Sequence, residues 1–280
     1  MTEAVNENVA ALFIGSGGPD LGVAAAGYLK ELRDHGPNAG TAKDALNVLW
    51  SAADIGSLLA KNDWNVMTGG YYMGAMGMAS KAASTVADRQ GGTPKPIGAV
   101  FSDFFPNDPL TIKGEVVPIR SLSQRQELYY TRARAFFFMG GGGLGTLSEI
   151  TGAMKDDSMR QEIKMGGTNT EKDNLELRPF IVIDPTGKMQ ELLKYIFGAY
   201  VGKEKALKDE IMSGIFKRMY VFGPESFTPA GGQDAYPGLA HLSEASKQSI
   251  LQILNVTSGK RTEAPPGVTT FYDMLSSAES

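Results

Sequence analysis

The chain of 280 residues contains no cysteine. That excludes a disulfide framework, a thiolate nucleophile and any zinc or iron–sulfur site built on sulfur. Histidine is almost as scarce, with only His35 and His241, each isolated in sequence. A histidine metal site or a Ser-His-Asp triad would have to rest on one of them, so no metal is implied and no cofactor is expected. Dense positive charge is missing too. Lys and Arg number 27 against 31 Asp and Glu, a formal net charge of -4, and no basic block interleaves with aromatics. Nucleic acid is therefore not an expected partner. Long apolar runs are also lacking. Val9 to Ile14 follows a polar, acidic start and is too short for a signal segment or a membrane span, so a cytoplasmic protein without a membrane partner is expected.

Glycine, by contrast, is abundant, with 34 residues, and it recurs at the ends of apolar runs. Val9 to Ile14 leads into Gly15-Ser16-Gly17-Gly18-Pro19, Trp64 to Thr68 into Gly69-Gly70, and Ala135 to Met139 into Gly140-Gly141-Gly142-Gly143. Further strand-like runs are Ile97 to Phe101, Val116 to Ile119, Phe180 to Asp184 and Arg218 to Phe222. Between them, helical spacing covers Leu21 to Leu32, Ala42 to Leu59, Tyr71 to Ala87, Ser123 to Arg134, Ser148 to Ile163, Met189 to Tyr200 and Lys205 to Phe216. The methionines of the Tyr71 to Ala87 helix read as core packing. Alternating strands and helices predict an α/β fold, a Rossmann-like parallel sheet with helices on both faces and glycine-rich loops at the strand ends. Residues 1–225 read as this domain and 226–280 as a partly helical C-terminal appendage. Gly166 to Asn174 reads as an exposed insertion.

In such sheets ligands sit beyond the carboxyl ends of the strands, where Gly15, Gly69 and Gly140 to Gly145 can converge. The first loop lacks the dinucleotide fingerprint, because Asp20 stands where a third glycine belongs. The third loop carries the most chemistry. Met139-Gly140-Gly141-Gly142-Gly143-Leu144-Gly145-Thr146-Leu147-Ser148-Glu149 joins a strand end, a run of unobstructed backbone amides and a helix start that favours a phosphate. Glu149 has two readings. It completes a capping box with Thr146, or it is a carboxylate at the edge of an anion site.

Several separated motifs together resemble the Lonely Guy family, the cytokinin riboside 5'-monophosphate phosphoribohydrolases once described as possible lysine decarboxylases. Gly141 to Glu149 is similar to the family's P-G-G-x-G-T-x-x-E, Gly114-Glu115-Val116-Val117-Pro118 to its G-E-V-x-P, and Gly69 to Gly77 to its G-G-x-x-x-G-x-M-G. Arg125 stands where the family's arginine does. The likeness spans roughly Val9 to Phe222, with longer segments near 37–42 and 156–178. It implies hydrolysis of the N-glycosidic bond of a nucleoside 5'-monophosphate, with Glu149 and Arg125 as catalytic residues. It further implies phosphate binding by Gly142, Gly143, Leu144, Gly145 and Thr146, and substrate contacts from Gly15, Ser16, Gly70, Glu115 and Gln126. Glu115 reads equally as a salt-bridge partner of Arg120 or Arg125. A homodimer is implied, since family members build the pocket mouth near a subunit interface. The chain departs from the family at Gly141 (proline there), at Gln126 (lysine there), and by one extra residue between Arg125 and the glycine run. One residue turns a helix by roughly 100°. Either Gly140 or a bulge absorbs it, or Arg132 or Arg134 takes Arg125's place. A related reading, from molybdenum-cofactor carriers of the same fold, is a binder that hydrolyses nothing.

Overall fold

The computed structural model describes residues 9–14, 42–70, 74–92, 94, 96–101, 113–140, 144–167, 176–229, 240–256 and 264–277. Its centre is an eight-stranded sheet of β1 (Val9–Ile14), β2 (Asn65–Thr68), β3 (Ile97–Phe101), β4 (Glu115–Ile119), β5 (Ala135–Met139), β6 (Phe180–Ile183), β7 (Met219–Phe222) and β10 (Thr269–Thr270). The order is β10-β7-β6-β5-β1-β2-β3-β4, parallel throughout except for β10. The predicted α/β architecture is therefore observed. The expected helix at Leu21 to Leu32 lies outside the described residues.

Burial on both faces explains why β5 and β6 read as unbroken apolar runs. Phe137 and Met139 of β5 pack with Ile181 and Ile183 of β6 on one face, under α1 (Ala42–Lys61) and α2 (Gly74–Arg89). Phe136 and Phe138 pack with Phe180 and Val182 on the other, under α3 (Leu122–Arg132) and α4 (Leu144–Gly166). Phe136 and Phe180 stack with centroids 5.6 Å apart. On the first face α1 and α2 approach so closely that a β-carbon on Gly56 would collide with the Ala79 carbonyl. Small residues therefore fill that seam: Ala75, Gly77, Ala79, Ser80 and Ala83 are buried. Of the methionines expected to pack in the core, Met78 is partly buried against it, Met76 turns its sulfur to Gly69, and Met73 lies outside the described residues.

The expected Met189 to Tyr200 helix is α5 (Lys188–Lys194) continued by a π-helical turn at Tyr195–Tyr200. The expected Lys205 to Phe216 helix is two, α6 (Lys203–Lys208) and α7 (Glu210–Lys217), because Asp209 turns the chain and caps the second from its side chain. Beyond Phe222 the chain returns to the same core. A two-stranded ribbon, β8 (Phe227–Pro229) and β9 (Ala240–Leu242), docks on α1, where Asp54 accepts from the Leu242 amide and pairs with His241 at 3.1 Å. Helix α8 (Glu244–Asn255) buries Ile250 and Ile253 in the α1–α2 core. Helix α9 (Phe271–Ser277) buries Phe271 and Leu275 on the other face. No described helix is long and apolar enough to cross a membrane.

Candidate active site

The chain proceeds from β1 to β2 on one side and returns through α3 to β5 on the other. The carboxyl edge around β1 is thus the topological switch point, where a crevice opens in sheets of this kind. Helix α3 begins at that edge, just after β4, with Ser121 capping it through its hydroxyl. Arg125 sits in its first turns. Helix α4 begins at the same edge after β5, and Glu149 projects from its second turn. The two meet: Arg125 Nη2 lies 2.6 Å from Glu149 Oε1, with the side chains only 18% and 13% exposed. The extra residue before the glycine run has therefore not turned Arg125 away, and neither Arg132 nor Arg134 substitutes. Arg132 pairs with Glu115 at 2.6 Å, and Arg134 lies 3.6 Å from Glu176.

Burial lifts the Glu149 carboxyl above its ordinary 4.5, and the adjacent guanidinium partly offsets the rise. The Arg125 guanidinium is held from several sides. Its Cζ lies 5.4 Å from the centroid of the Phe101 ring at the end of β3. Its Nη1 points towards Gly69, and its Nε is buried with no hydrogen-bond partner among the described residues. Tyr129, one turn beyond Arg125 on α3, is fully buried. Burial first, and the Glu149 charge second, drive its phenol far above the ordinary value, so it stays neutral. Tyr130 is pushed up to about 12 by burial and then by Asp156 and Glu149, and its hydroxyl also lacks a partner.

The capping-box reading of Glu149 fails on geometry. Helix α4 starts at Leu144, so Thr146 lies inside its first turn, buried, and the Glu149 carboxylate is turned to Arg125 on another helix. Gln126 follows Arg125 but faces α4, its Nε2 3.5 Å from Ser148 Oγ, which bridges the two helices beside the ion pair. Leu144 and Gly145 belong to the first turn of α4. Gly142 and Gly143, like Gly15 and Ser16, lie outside the described residues.

Two of the expected substrate contacts have other partners. Gly70 adopts φ +87°, a conformation that favours glycine, with Gly98 of β3 packed where a side chain would go. Its amide donates to Thr68 Oγ1 at 3.2 Å. Glu115 opens β4 opposite Ile97, at the amino edge of the sheet, about 13 Å of strand from Ile119 where α3 begins. There it pairs with Arg132 at the far end of α3, and not with Arg120 or Arg125. Residues missed in sequence now stand out: Phe101 over the guanidinium, Tyr129 beneath the pair, and Met76, whose sulfur accepts from Gly69 N at 3.2 Å. Phe101 ends a strand beside the glycine turn, and that position was the one available signal for it.

The arrangement defines a class: a Rossmann-like α/β protein with a buried arginine–carboxylate pair at the carboxyl edge of its sheet, beside a glycine-rich loop. The chain belongs to the SLOG cluster4 family, whose sequence profile matches residues 36–176, half of the chain. A cytokinin riboside 5'-monophosphate phosphoribohydrolase from Mycobacterium tuberculosis is 26% identical over 148 residues, covering 52% of this chain and 68% of that protein. This agrees with the resemblance carried by the motifs. Among solved structures, the molybdenum cofactor binding protein from Rippkaea orientalis gives a TM-score of 0.40 at 18% identity, over 69% of this chain and 86% of that one. The Moco carrier protein of Chlamydomonas reinhardtii gives 0.44 at 14% identity, over 89% and 99%.

Proposed function

We propose that this chain hydrolyses the N-glycosidic bond of a nucleoside 5'-monophosphate, of the AMP or cytokinin riboside monophosphate type, to free base and ribose 5-phosphate. The observation that carries the reading is the buried Arg125–Glu149 pair beside the start of α4. Cleavage sends the C1'–N electron pair to the base nitrogen and leaves positive charge on the ribose. A desolvated carboxylate facing C1' stabilises that charge and takes a proton from the attacking water, whose oxygen bonds to C1' as the base gains a proton. Arg125 keeps the carboxylate oriented and does not itself transfer a proton, since a guanidinium remains charged. The first turn of α4 and the glycine amides before it suit the 5'-phosphate, where helix dipole and backbone N–H groups favour an anion.

A homodimer accompanies this reading. Leu122 on α3 and Met159, Ile163 and Met165 on α4 are exposed apolar side chains on the two helices that carry the pair. Incubation of the protein with AMP and with adenine-modified AMP, followed by chromatography of released base, tests the activity. Release of adenine by the parent and its loss in Glu149→Gln are expected. Tight nucleotide binding with no base released by the parent protein would replace this reading with a binding or carrier role.

A further inference from the structure

In the turn after β2 the Gly69 amide meets a poor acceptor among the described residues. The Gly69 N–H donates to Met76 Sδ at 3.2 Å. A β-carbon on Gly69 would stand 2.7 Å from that sulfur, 3.5 Å from the Met76 methyl carbon and 3.9 Å from Arg125 Nη1. The thioether and the guanidinium therefore flank the same glycine, which any side chain would push apart. Arg125 spends Nη2 on Glu149, and its buried Nε has no partner among the described residues.

A thioether is a weak acceptor and carries no charge. Beside a guanidinium and a backbone amide, an oxygen would bind better than sulfur does. Met76 is also free to leave. It is partly exposed in the first turn of α2, its unbranched side chain adapts readily, and the α1–α2 seam is filled by its neighbours Ala75, Gly77 and Ala79. Gly70, next in the turn, already gives its amide to Thr68 and does not compete for a ligand.

We propose that Met76 is a displaceable stand-in, and that the space it fills against Gly69 and Arg125 is a subsite for an oxygen of the substrate's sugar phosphate. The chemistry required is a hydroxyl or phosphoryl oxygen that accepts from the Gly69 amide and Arg125 Nη1 while lying next to the Glu149 carboxylate. The identity of the ligand rests on the phosphoribohydrolase reading; the displacement of Met76 is measured separately from turnover.

Protein labelled with 13C at the methionine methyl groups, with the Met76 resonance assigned through Met76→Leu, is titrated with ribose 5-phosphate, ribose and inorganic phosphate. AMP hydrolysis is measured on the same sample. A saturable shift of the Met76 methyl with ribose 5-phosphate is expected. The same shift with ribose alone assigns the oxygen to a hydroxyl, and with phosphate alone to the phosphoryl group. Met76→Ala removes the competing acceptor and is expected to tighten ribose 5-phosphate binding about threefold to tenfold, the scale of one modest hydrogen bond. If ribose 5-phosphate saturates the protein while the Met76 methyl does not move, the subsite is overturned, even where AMP is hydrolysed. A Met76 shift without AMP turnover keeps the subsite and removes the hydrolase. No saturable Met76 response to any of the three compounds also overturns it.

Discussion

Buried ion pairs occur at both edges of this sheet, and they are built differently. At the amino edge, Asp157 of α4 is fully buried between Arg178, just before β6, and Arg218, just before β7. Every nitrogen of the Arg178 guanidinium is engaged: Nε with Asp157, Nη1 with the Tyr130 carbonyl at 2.8 Å, and Nη2 with Asp156. Its planar face also covers the Phe136 ring at 4.6 Å. Such a network ties α4 to two strands and to the end of α3, although Arg218 Nε is buried without a partner among the described residues. At the carboxyl edge, Glu149 meets one guanidinium nitrogen, the neighbouring Nε has no partner among the described residues, and the carboxyl is held above its ordinary value. The two clusters thus differ in connectivity: Asp157 is shared by two arginines that precede two strands, whereas Glu149 meets a single arginine across α3 and α4. A cluster that joins several elements fixes structure, whereas a lone pair at the carboxyl edge, with its carboxyl perturbed, suits a substrate.

The largest test of this contrast is to break each pair and ask what is lost. Glu149→Gln is expected to lower kcat/KM for AMP by about 10²- to 10⁴-fold, the scale of a positioned catalytic group, with the thermal unfolding curve little changed. Asp157→Ala is expected to do the reverse. Leaving two arginines without their buried partner costs about 3–5 kcal/mol of stability, seen as a fall in the urea midpoint, while activity per folded molecule is retained. If both variants lose stability and neither loses turnover, the distinction between the two edges collapses.

A smaller effect is expected between the edges, where α3 passes α4. A β-carbon on Gly152 would run into the Tyr130 hydroxyl, so Gly152→Ala should cost about 1–3 kcal/mol by overpacking. Removing that hydroxyl with Tyr130→Phe in the same chain should recover most of the loss, and a double-mutant cycle measures the coupling.

The smallest effect is a matter of pH. In the proposed reaction Glu149 works as a carboxylate, and its folded pKa is raised, so the acid limb of the kcat/KM profile should lie above 4.5. Stability carries the opposite sign. A group whose pKa rises on folding stabilises the fold below its unfolded value, and that contribution is lost as pH rises through the folded value. Parent protein should therefore lose stability relative to Glu149→Gln across that window. An acid limb at or below 4.5 would contradict the buried setting of the carboxylate.

Much of this was legible in the chain. The apolar runs Ile97 to Phe101 and Ala135 to Met139 are strands to the residue, since a core buried on both faces writes itself as an uninterrupted apolar segment. Arg125 and Glu149 were legible as well, because each ends a motif that matches a known pattern, although one extra residue lies between them. The partner of Glu115, Arg132, was not legible. A motif records proximity in sequence, and a five-residue strand carries its first residue to the opposite edge of the sheet from its last. The positive φ of Gly70 was not legible either, because a glycine that permits it looks the same in sequence as one that admits a ligand. The contacts of Phe101, Tyr129 and Met76 were not legible, since a strand end or a motif position does not distinguish an aromatic or thioether in the core from one against a guanidinium.

By itself, then, the sequence determined the alternation of strands and helices, the glycine turns at the strand ends, and the absence of cysteine chemistry. These follow from short-range rules: periodicity, turn preference and composition. Only the tertiary structure decided whether Glu149 caps its own helix or faces Arg125. The extra residue before the glycine run left the angle between two helices undetermined, and that angle is fixed by how α3 and α4 pack together on the sheet.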